Sequence, residues 1–218
     1  MKLKGVLLLI GLAALLPAGA NAATVRGVVV GKQHGLLLVA TPSGTVQAVR
    51  GHFAIGSRLQ GSSVIGRATH ARIHGVVVKR IGSTMFLSSN RHLLAVHLGR
   101  GLAANTPSPA APQPGAVVNT TVDVKDNGEL DEQDENEVGQ VAGNIQVQAT
   151  ITAVGNGTVT LSVNGQSLTV NLPAGLTLPA SVVGQTVTFT VSLGNDRNDD
   201  QGDDDQGDDH GGDGGGDD

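Results

Sequence analysis

The chain has 218 residues, of which 14 are Lys or Arg and 19 are Asp or Glu, so its formal net charge is −5. It holds no Cys, Trp or Tyr and only three Phe. The lack of Cys excludes disulfides, thiol catalysis and thiolate metal ligands, and the few aromatic residues mean that a core must be built from small aliphatic side chains.

The N-terminus predicts an exported protein. A short basic start, Met1–Lys4, precedes the apolar run Val6–Leu16, and Ala20-Asn21-Ala22 supplies the small-x-small pattern of a cleavage site. This order is typical of a secretory signal peptide over residues 1–22, with cleavage before Ala23. The alternative is a membrane anchor, which needs about 20 apolar residues. We expect the mature chain to be secreted or periplasmic, with no transmembrane segment.

Three β-rich units follow, each with three short runs rich in β-branched and other apolar residues. Gly- or Asn-containing turns separate the runs, as in antiparallel hairpins. The runs of the first unit are Val25–Val30, Leu36–Thr41 and Thr45–Val49; those of the second are Arg72–Lys79, Thr84–Ser88 and His92–His97; those of the third are Val147–Val154, Thr158–Val163 and Gln166–Asn171.

A further strand is predicted after the first and third units. Ile55-Gly56-Ser57-Arg58-Leu59 matches Val183-Gly184-Gln185-Thr186-Val187 in its apolar-Gly-x-x-apolar pattern. With these patterns, residues 24–100 and 145–193 resemble the small repeats, related to the oligonucleotide/oligosaccharide-binding (OB) fold, of exported bacterial proteins of unknown function. The resemblance implies an all-β chain with two small antiparallel OB-like barrels or half-barrels, and it brings no catalytic residues.

The predicted domains are a signal peptide (1–22), a basic β-barrel region of two repeats (23–101), a linker (102–144), a neutral small barrel repeat (145–193) and a tail (194–218). The linker is first Pro-rich and then acidic, and we expect it to be disordered. The tail is a low-complexity Asp/Gly tract, for which we also expect disorder. Any help that the third unit needs for stability must come from the first two units or from another chain, since it has only about 49 residues.

Charge is sorted along the chain. Residues 23–101 contain no Asp or Glu, whereas all 19 acids lie in 123–137 and 196–218. A module with about ten positive charges and no acid carries a positive potential over much of its surface. We therefore predict anion binding by its basic residues. These are Arg26, Lys32, Arg50, Arg58, Arg67, Arg72, Lys79, Arg80, Arg91 and Arg100.

Metal sites are not favoured. Asp123–Asp134 can be aligned with a twelve-residue calcium loop, but Lys125 takes the third ligand position. His70 and His74 are four residues apart, a spacing that suits zinc on a helix, and His92 and His97 are five apart, but these residues fall in predicted strands or loops. No cofactor is predicted, and weak divalent-cation binding by the acidic tail is the one cation interaction that the composition suggests.

The sequence favours a non-enzymatic exported binding or scaffold protein. Its basic module would contact an anionic cell-envelope polymer or a protein partner, and its acidic tail would mask that module. The lack of stacking aromatic residues argues against nucleic acid. The alternative is an extracytoplasmic hydrolase or metal-dependent enzyme, which needs an ordered acid beside a His.

Overall fold

The computed structural model describes residues 9–10, 25–33, 35–99 and 112–193. These residues form β-strands and one short 3₁₀ helix, Ala180–Val182, with no α-helix among them. The strands are β1 Leu9–Ile10, β2 Arg26–Gln33, β3 Leu36–Ala40, β4 Val46–Arg50, β5 Ser57–Gln60, β6 Ser63–Arg67, β7 His70–Ile81, β8 Thr84–Ser89, β9 His92–His97, β10 Ala116–Val124, β11 Leu130–Gln140, β12 Gly143–Gly155, β13 Thr158–Val163, β14 Gln166–Asn171 and β15 Thr186–Leu193.

The first sheet comprises β2–β6 in the order β4-β3-β2-β5-β6, with every pair antiparallel. β3 is the five-residue run Leu36–Ala40, in which all but the first residue are buried. Its alternate side chains enter two different cores, because successive residues of a strand point to opposite faces. Leu37 and Val39 pack within this sheet's own core, whereas Leu38 and Ala40 pack against the second sheet.

A middle set of strands, β7–β11, closes on itself. β7 pairs with β8, and β8 with β9; β9 pairs in parallel with β11 through His97 and Asp131. β11 pairs with β10, and β10 returns to β7. The interior of this circuit is filled by residues such as Ile73, Met85 and Val118, each fully buried. Five strands thus enclose one aliphatic core.

A C-terminal set, β12–β15, continues the same sheet. β12 lies between β13 and β15, β14 pairs with β13, and β1 pairs with β15 at the sheet edge. Phe86, Leu93 and Ala95 of the middle set share a core with this set, together with its own Phe189. The C-terminal set is therefore packed against the middle set. This is one of the two alternatives that the sequence analysis gave for its stabilisation, the first two units or another chain.

The turn between β8 and β9 connects all three sets. Asn90 and Arg91 both have positive φ, 48° and 69°, a conformation that is costly for a residue such as Arg. The Asn90 side chain donates a hydrogen bond to the Val46 carbonyl of the first sheet at 3.2 Å. The Arg91 carbonyl accepts one from the Gln148 amide of β12 at 2.6 Å. These contacts hold the turn in its strained shape.

The all-β prediction is confirmed, and the predicted runs of the three units lie in strands except for the end residues Val25, Thr41 and Thr45. The prediction of a disordered linker is wrong for part of 102–144, since Ala116–Val124 and Leu130–Gln140 are paired strands. The acidic residues of this segment tolerate a sheet because much of β11 is open to solvent. The boundary within 23–101 also differs: strands up to Arg67 form the first sheet, and those from His70 join the other.

Several predicted features lie outside the described residues. They are the tail 194–218, the Pro-rich segment up to Ala111, and the signal peptide apart from the backbone of Leu9–Ile10. In the part of the chain that the structure describes, no helix combines the length and apolar character of a membrane span.

Candidate functional site

The basic residues predicted to bind anions are spread over two sheets. Arg26, Lys32, Arg50, Arg58 and Arg67 belong to the first sheet, and Arg72, Lys79, Arg80 and Arg91 belong to the middle set. All of these side chains are exposed except that of Lys79, which is half-buried. Arg100 lies outside the described residues. The structure therefore does not gather the predicted residues into one compact site.

Most of these cations have no acidic partner among the described residues. Arg67 alone pairs with an acid, Asp126, on the turn between β10 and β11. Lys79 reaches the Thr169 carbonyl at 3.4 Å, and Arg80 reaches the Gly82 carbonyl at 3.2 Å. The remaining side chains make neither a hydrogen bond nor an ion pair within the described part of the chain. They are Arg26, Lys32, Arg50, Arg58, Arg72 and Arg91.

Two of the free arginines are neighbours. In the β2–β5 pair, Arg26 lies opposite Gln60 and Val28 lies opposite Arg58. Residues that face each other across an antiparallel pair share one side of the sheet, and diagonal neighbours are about 7–8 Å apart. Arg26 and Arg58 thus project from the same face, where a bound anion would relieve the repulsion between them.

A second polar surface, here called the outer polar face, crosses β7, β10 and β11. The register places three rows side by side: His70, Asp123 and Asp131; Arg72, Thr121 and Asp134; His74, Asn119 and Asn136. His74 Nδ1 is 2.7 Å from Asn119 Oδ1. Lys125 Nζ lies 3.3 Å from an Asp131 oxygen. His70 and Lys125 contact acids here, whereas Arg72 has no partner among the described residues, and in the first sheet only Arg67 among the described cations contacts an acid.

Two histidines contact acids, as the enzymatic alternative requires. His70 Nδ1 is 2.5 Å from Oδ1 of Asp123, the residue that lies opposite His70 on the adjacent strand β10. His97 Nε2 is 3.4 Å from Glu129 Oε1, and its Nδ1 is 3.2 Å from Thr84 Oγ1. Gln166 of the C-terminal set approaches the same Nε2 at 3.3 Å. The Thr84 hydroxyl, the His97 imidazole and the Glu129 carboxylate are therefore consecutive neighbours in space.

Three carboxylates of β11 lie across from buried residues of β10, two of them half-buried and Glu137 exposed. Glu132, Glu135 and Glu137 stand opposite Val122, Thr120 and Val118, all of which are buried. Burial is the main cause that raises the pKa of Glu135 to about 7, and the charges of Glu132 and Glu137 add to it. Burial also raises the pKa of Glu132. These two half-buried acids favour the protonated form more than free glutamates do.

The calcium alignment has no counterpart in the structure. Asp123 lies on β10 and Asp134 on β11, with the turn between these strands, so the aligned segment is a hairpin rather than a ligand loop. Within the described residues no three His, Asp or Glu side chains form a group able to hold a metal ion. The acidic tail lies outside those residues.

Sequence reasoning missed the carboxylates of β11 and the acid contacts of the histidines. A signal was present in Ala116–Val124, where inward aliphatic or threonine side chains alternate with outward ones that are polar except for Val117, the period of a half-buried strand. The acidic run that follows this segment favoured the prediction of a disordered linker instead. Compared with known proteins, the chain matches no family model and no curated protein.

Proposed function

We propose that this protein is an exported, non-enzymatic binding or scaffold protein that contacts an anionic polymer of the cell envelope through free basic side chains. The observation that carries the proposal is the set of six exposed cations without partners. An exposed cation that makes no internal contact is available to a phosphate, sulfate or carboxylate group. Arg26 and Arg58 lie side by side on one sheet face.

The strand order supports an OB-like character for the three sets. In each set a three-stranded meander is followed by a fourth strand that pairs with the first: β5 with β2, β10 with β7, and β15 with β12. In the middle set a fifth strand closes the circuit in parallel with the third. We infer that the three sets are repeats of one unit.

This inference bears on where a ligand binds. OB folds bind oligonucleotides and oligosaccharides on the face of their second and third strands. In the middle set those strands are β8 and β9, and their outward residues Phe86, Leu93 and Ala95 are buried against the C-terminal set. In the middle set the usual ligand face is thus covered by the C-terminal set, which favours charge-based contact at the exposed arginines over recognition of bases by that set.

Binding to inorganic polyphosphate at two salt concentrations tests the proposal. Contacts of this kind release counterions, so affinity falls as salt rises. We expect the double variant Arg26→Gln/Arg58→Gln to bind at least fivefold more weakly at low salt. Lys125→Gln is the matched control, because Lys125 is already neutralised by Asp131. Equal affinity of the wild type and the double variant, or affinity that does not fall with salt, would contradict the proposal.

A hydrolase is the second candidate, and the contacts of His97 favour it. Thr84 Oγ1 and Glu129 Oε1 approach opposite nitrogens of that ring, the order of groups used in nucleophilic catalysis. Hydrolysis of an activated acetate ester, abolished by both Thr84→Val and His97→Gln, would establish it. If both variants keep the wild-type rate of hydrolysis, this candidate is rejected.

A further inference from the structure

A cleft of about 220 Å³ lies where the first sheet, the middle set and the C-terminal set meet. Lys32 and Gln33 enter it from the end of β2, and Leu93 enters it from β9. The opposite wall is built by strands β12 and β13 and by the turn between β13 and β14. Its residues are Thr150, Thr152, Ser162, Val163, Asn164 and Gly165.

The turn holds Asn164 in a fixed position. Asn164 and Gly165 have φ values of 47° and 81°, as in the tight Asn-Gly turns that join antiparallel strands. The side chain of Asn164 lies against Gly31, where an added Cβ would be 2.7 Å from its Oδ1. Gly31 sits where the register of β2 on β3 shifts. The missing side chain at residue 31 therefore makes room for the Asn164 amide.

The Asn164 amide has an unmet hydrogen bond. Its Nδ2 is buried and has no hydrogen-bond partner within the described residues. A buried donor left unpaired destabilises the folded state, and such groups in native structures require an explanation. Because Nδ2 has almost no exposed surface, an acceptor oxygen of a ligand in the cleft would accept that bond after the Asn164 amide turns toward it.

The charge of the cleft selects the ligand class. Lys32 is the one charged residue among the described residues that line it, and the others supply hydroxyl, amide and aliphatic groups. Lys32 forms no ion pair within the described residues. The Thr152 hydroxyl donates to the Thr160 carbonyl at 3.2 Å, which leaves the hydroxyls of Thr150 and Ser162. One ammonium, an amide donor and two hydroxyl donors suit a small oxyanion.

We propose that this cleft binds a small oxyanion of the phosphate type, held by the ammonium of Lys32 and the amide of Asn164. The site differs from the exposed arginines in being limited in size and lined by neutral donors. It shares Lys32 with the six exposed cations of the polymer-binding proposal, but neither Arg26 nor Arg58 lines the cleft, so different variants test the two proposals.

The experiment is a titration of the full chain with phosphate to about 10 mM, a concentration that would saturate even a weak site. Binding is measured from the chemical-shift changes of the backbone amides in NMR spectra. We expect saturable shifts concentrated at Gly31 and Gly165. Asn164→Gly keeps the positive φ of the turn and removes only the amide, and Lys32→Gln removes the charge. Each variant should bind phosphate at least tenfold more weakly, and Asn156→Gly, the same change in the β12–β13 turn, should bind within twofold of the wild type.

Three outcomes would overturn the proposal. They are no saturable shift in the wild type, shifts that spread over the arginines instead of the cleft, and saturation by neutral glucose but not by phosphate. Lys32 is exposed, so the Lys32→Gln variant is expected to fold. It therefore keeps the test decisive if the Asn164→Gly variant does not fold. Loss of polyphosphate binding in Arg26→Gln/Arg58→Gln with phosphate binding retained would separate the two proposals.

Discussion

The hairpins β8–β9 and β10–β11 belong to the same closed circuit but differ in how they are buried. Met85 and Leu94 of the first hairpin face the interior of the circuit, while Phe86 and Leu93 face the C-terminal set, so both sides are covered. In the second hairpin, Val118 and Val122 face inward and the other side is the outer polar face. The comparison shows that a strand can be rich in acids when much of it is open to solvent, as β11 is.

The largest expected effect comes from the doubly covered hairpin. Phe86 is 2% exposed and fills the space between the middle and C-terminal sets. Phe86→Ala should lower the free energy of unfolding by about 3–5 kcal/mol, because it removes a large side chain and leaves a cavity. Thr121→Ala on the outer polar face should cost less than about 0.5 kcal/mol. Urea unfolding followed by circular dichroism measures both, and equal losses would contradict the contrast.

A smaller and pH-dependent effect is expected from β11. The pKa of Glu135 is about 7 in the folded chain against an ordinary 4.5, so the folded state binds more protons between these values. The free energy of unfolding contributed by this group is full below pH of about 4.5 and is lost as the pH rises through about 7.

Glu135→Gln should therefore stabilise the chain at pH 8 by about 1 kcal/mol, a value reduced by the partial exposure of the side chain. At pH 4 it should change nothing. Burial lowers the pKa of His92, so its contribution to the free energy of unfolding is lost as the pH falls below 6.5. This contribution is the same in Glu135→Gln and in the wild type, so it cancels in the difference between their free energies of unfolding. Asp134→Asn is the control, because the charge of Asp134 contributes least to the pKa of Glu135. A pH-independent difference would refute the assignment.

The smallest effect is expected where the basic and acidic regions touch. Arg67 and Asp126 form an ion pair between the first sheet and the β10–β11 turn, with side chains 64% and 83% exposed. Exposed pairs contribute about 0–1 kcal/mol, so Arg67→Ala should change the free energy of unfolding by less than about 0.5 kcal/mol. A double-mutant cycle with Asp126→Ala measures the coupling, and a value above about 1 kcal/mol would show that this contact joins the sheets.

How far the sequence predicts this molecule depends on the distance over which each signal acts. The hairpins were predictable because their apolar runs and turns, such as Asn164-Gly165, are local. β10 and β11 were missed because five acids between Asp131 and Glu137 suggested a solvated linker, although only one side of a strand needs to be covered.

The cleft could not be predicted from periodicity. Lys32, Leu93 and Asn164 come from three different sets, and their proximity depends on how the sets dock. The same holds for the contact of His97 with Glu129 and Gln166. The basic residues themselves were evident from composition, and their role in binding stays a prediction.

The parallel pairing of β9 with β11 has a consequence for how the chain reaches its fold. His97 and Asp131 are 34 residues apart, and His70 and its partner Asp123 are 53 apart, whereas the strands of the first sheet are complete by Arg67. Such distant pairings give a high contact order and slow folding. A chain truncated between β10 and β11 would leave β9 and β10 with open backbone donors and acceptors, the edges that promote aggregation. The second sheet therefore has no natural stopping point before Gln140, and a shortened chain should be an aggregating fragment instead of a smaller domain.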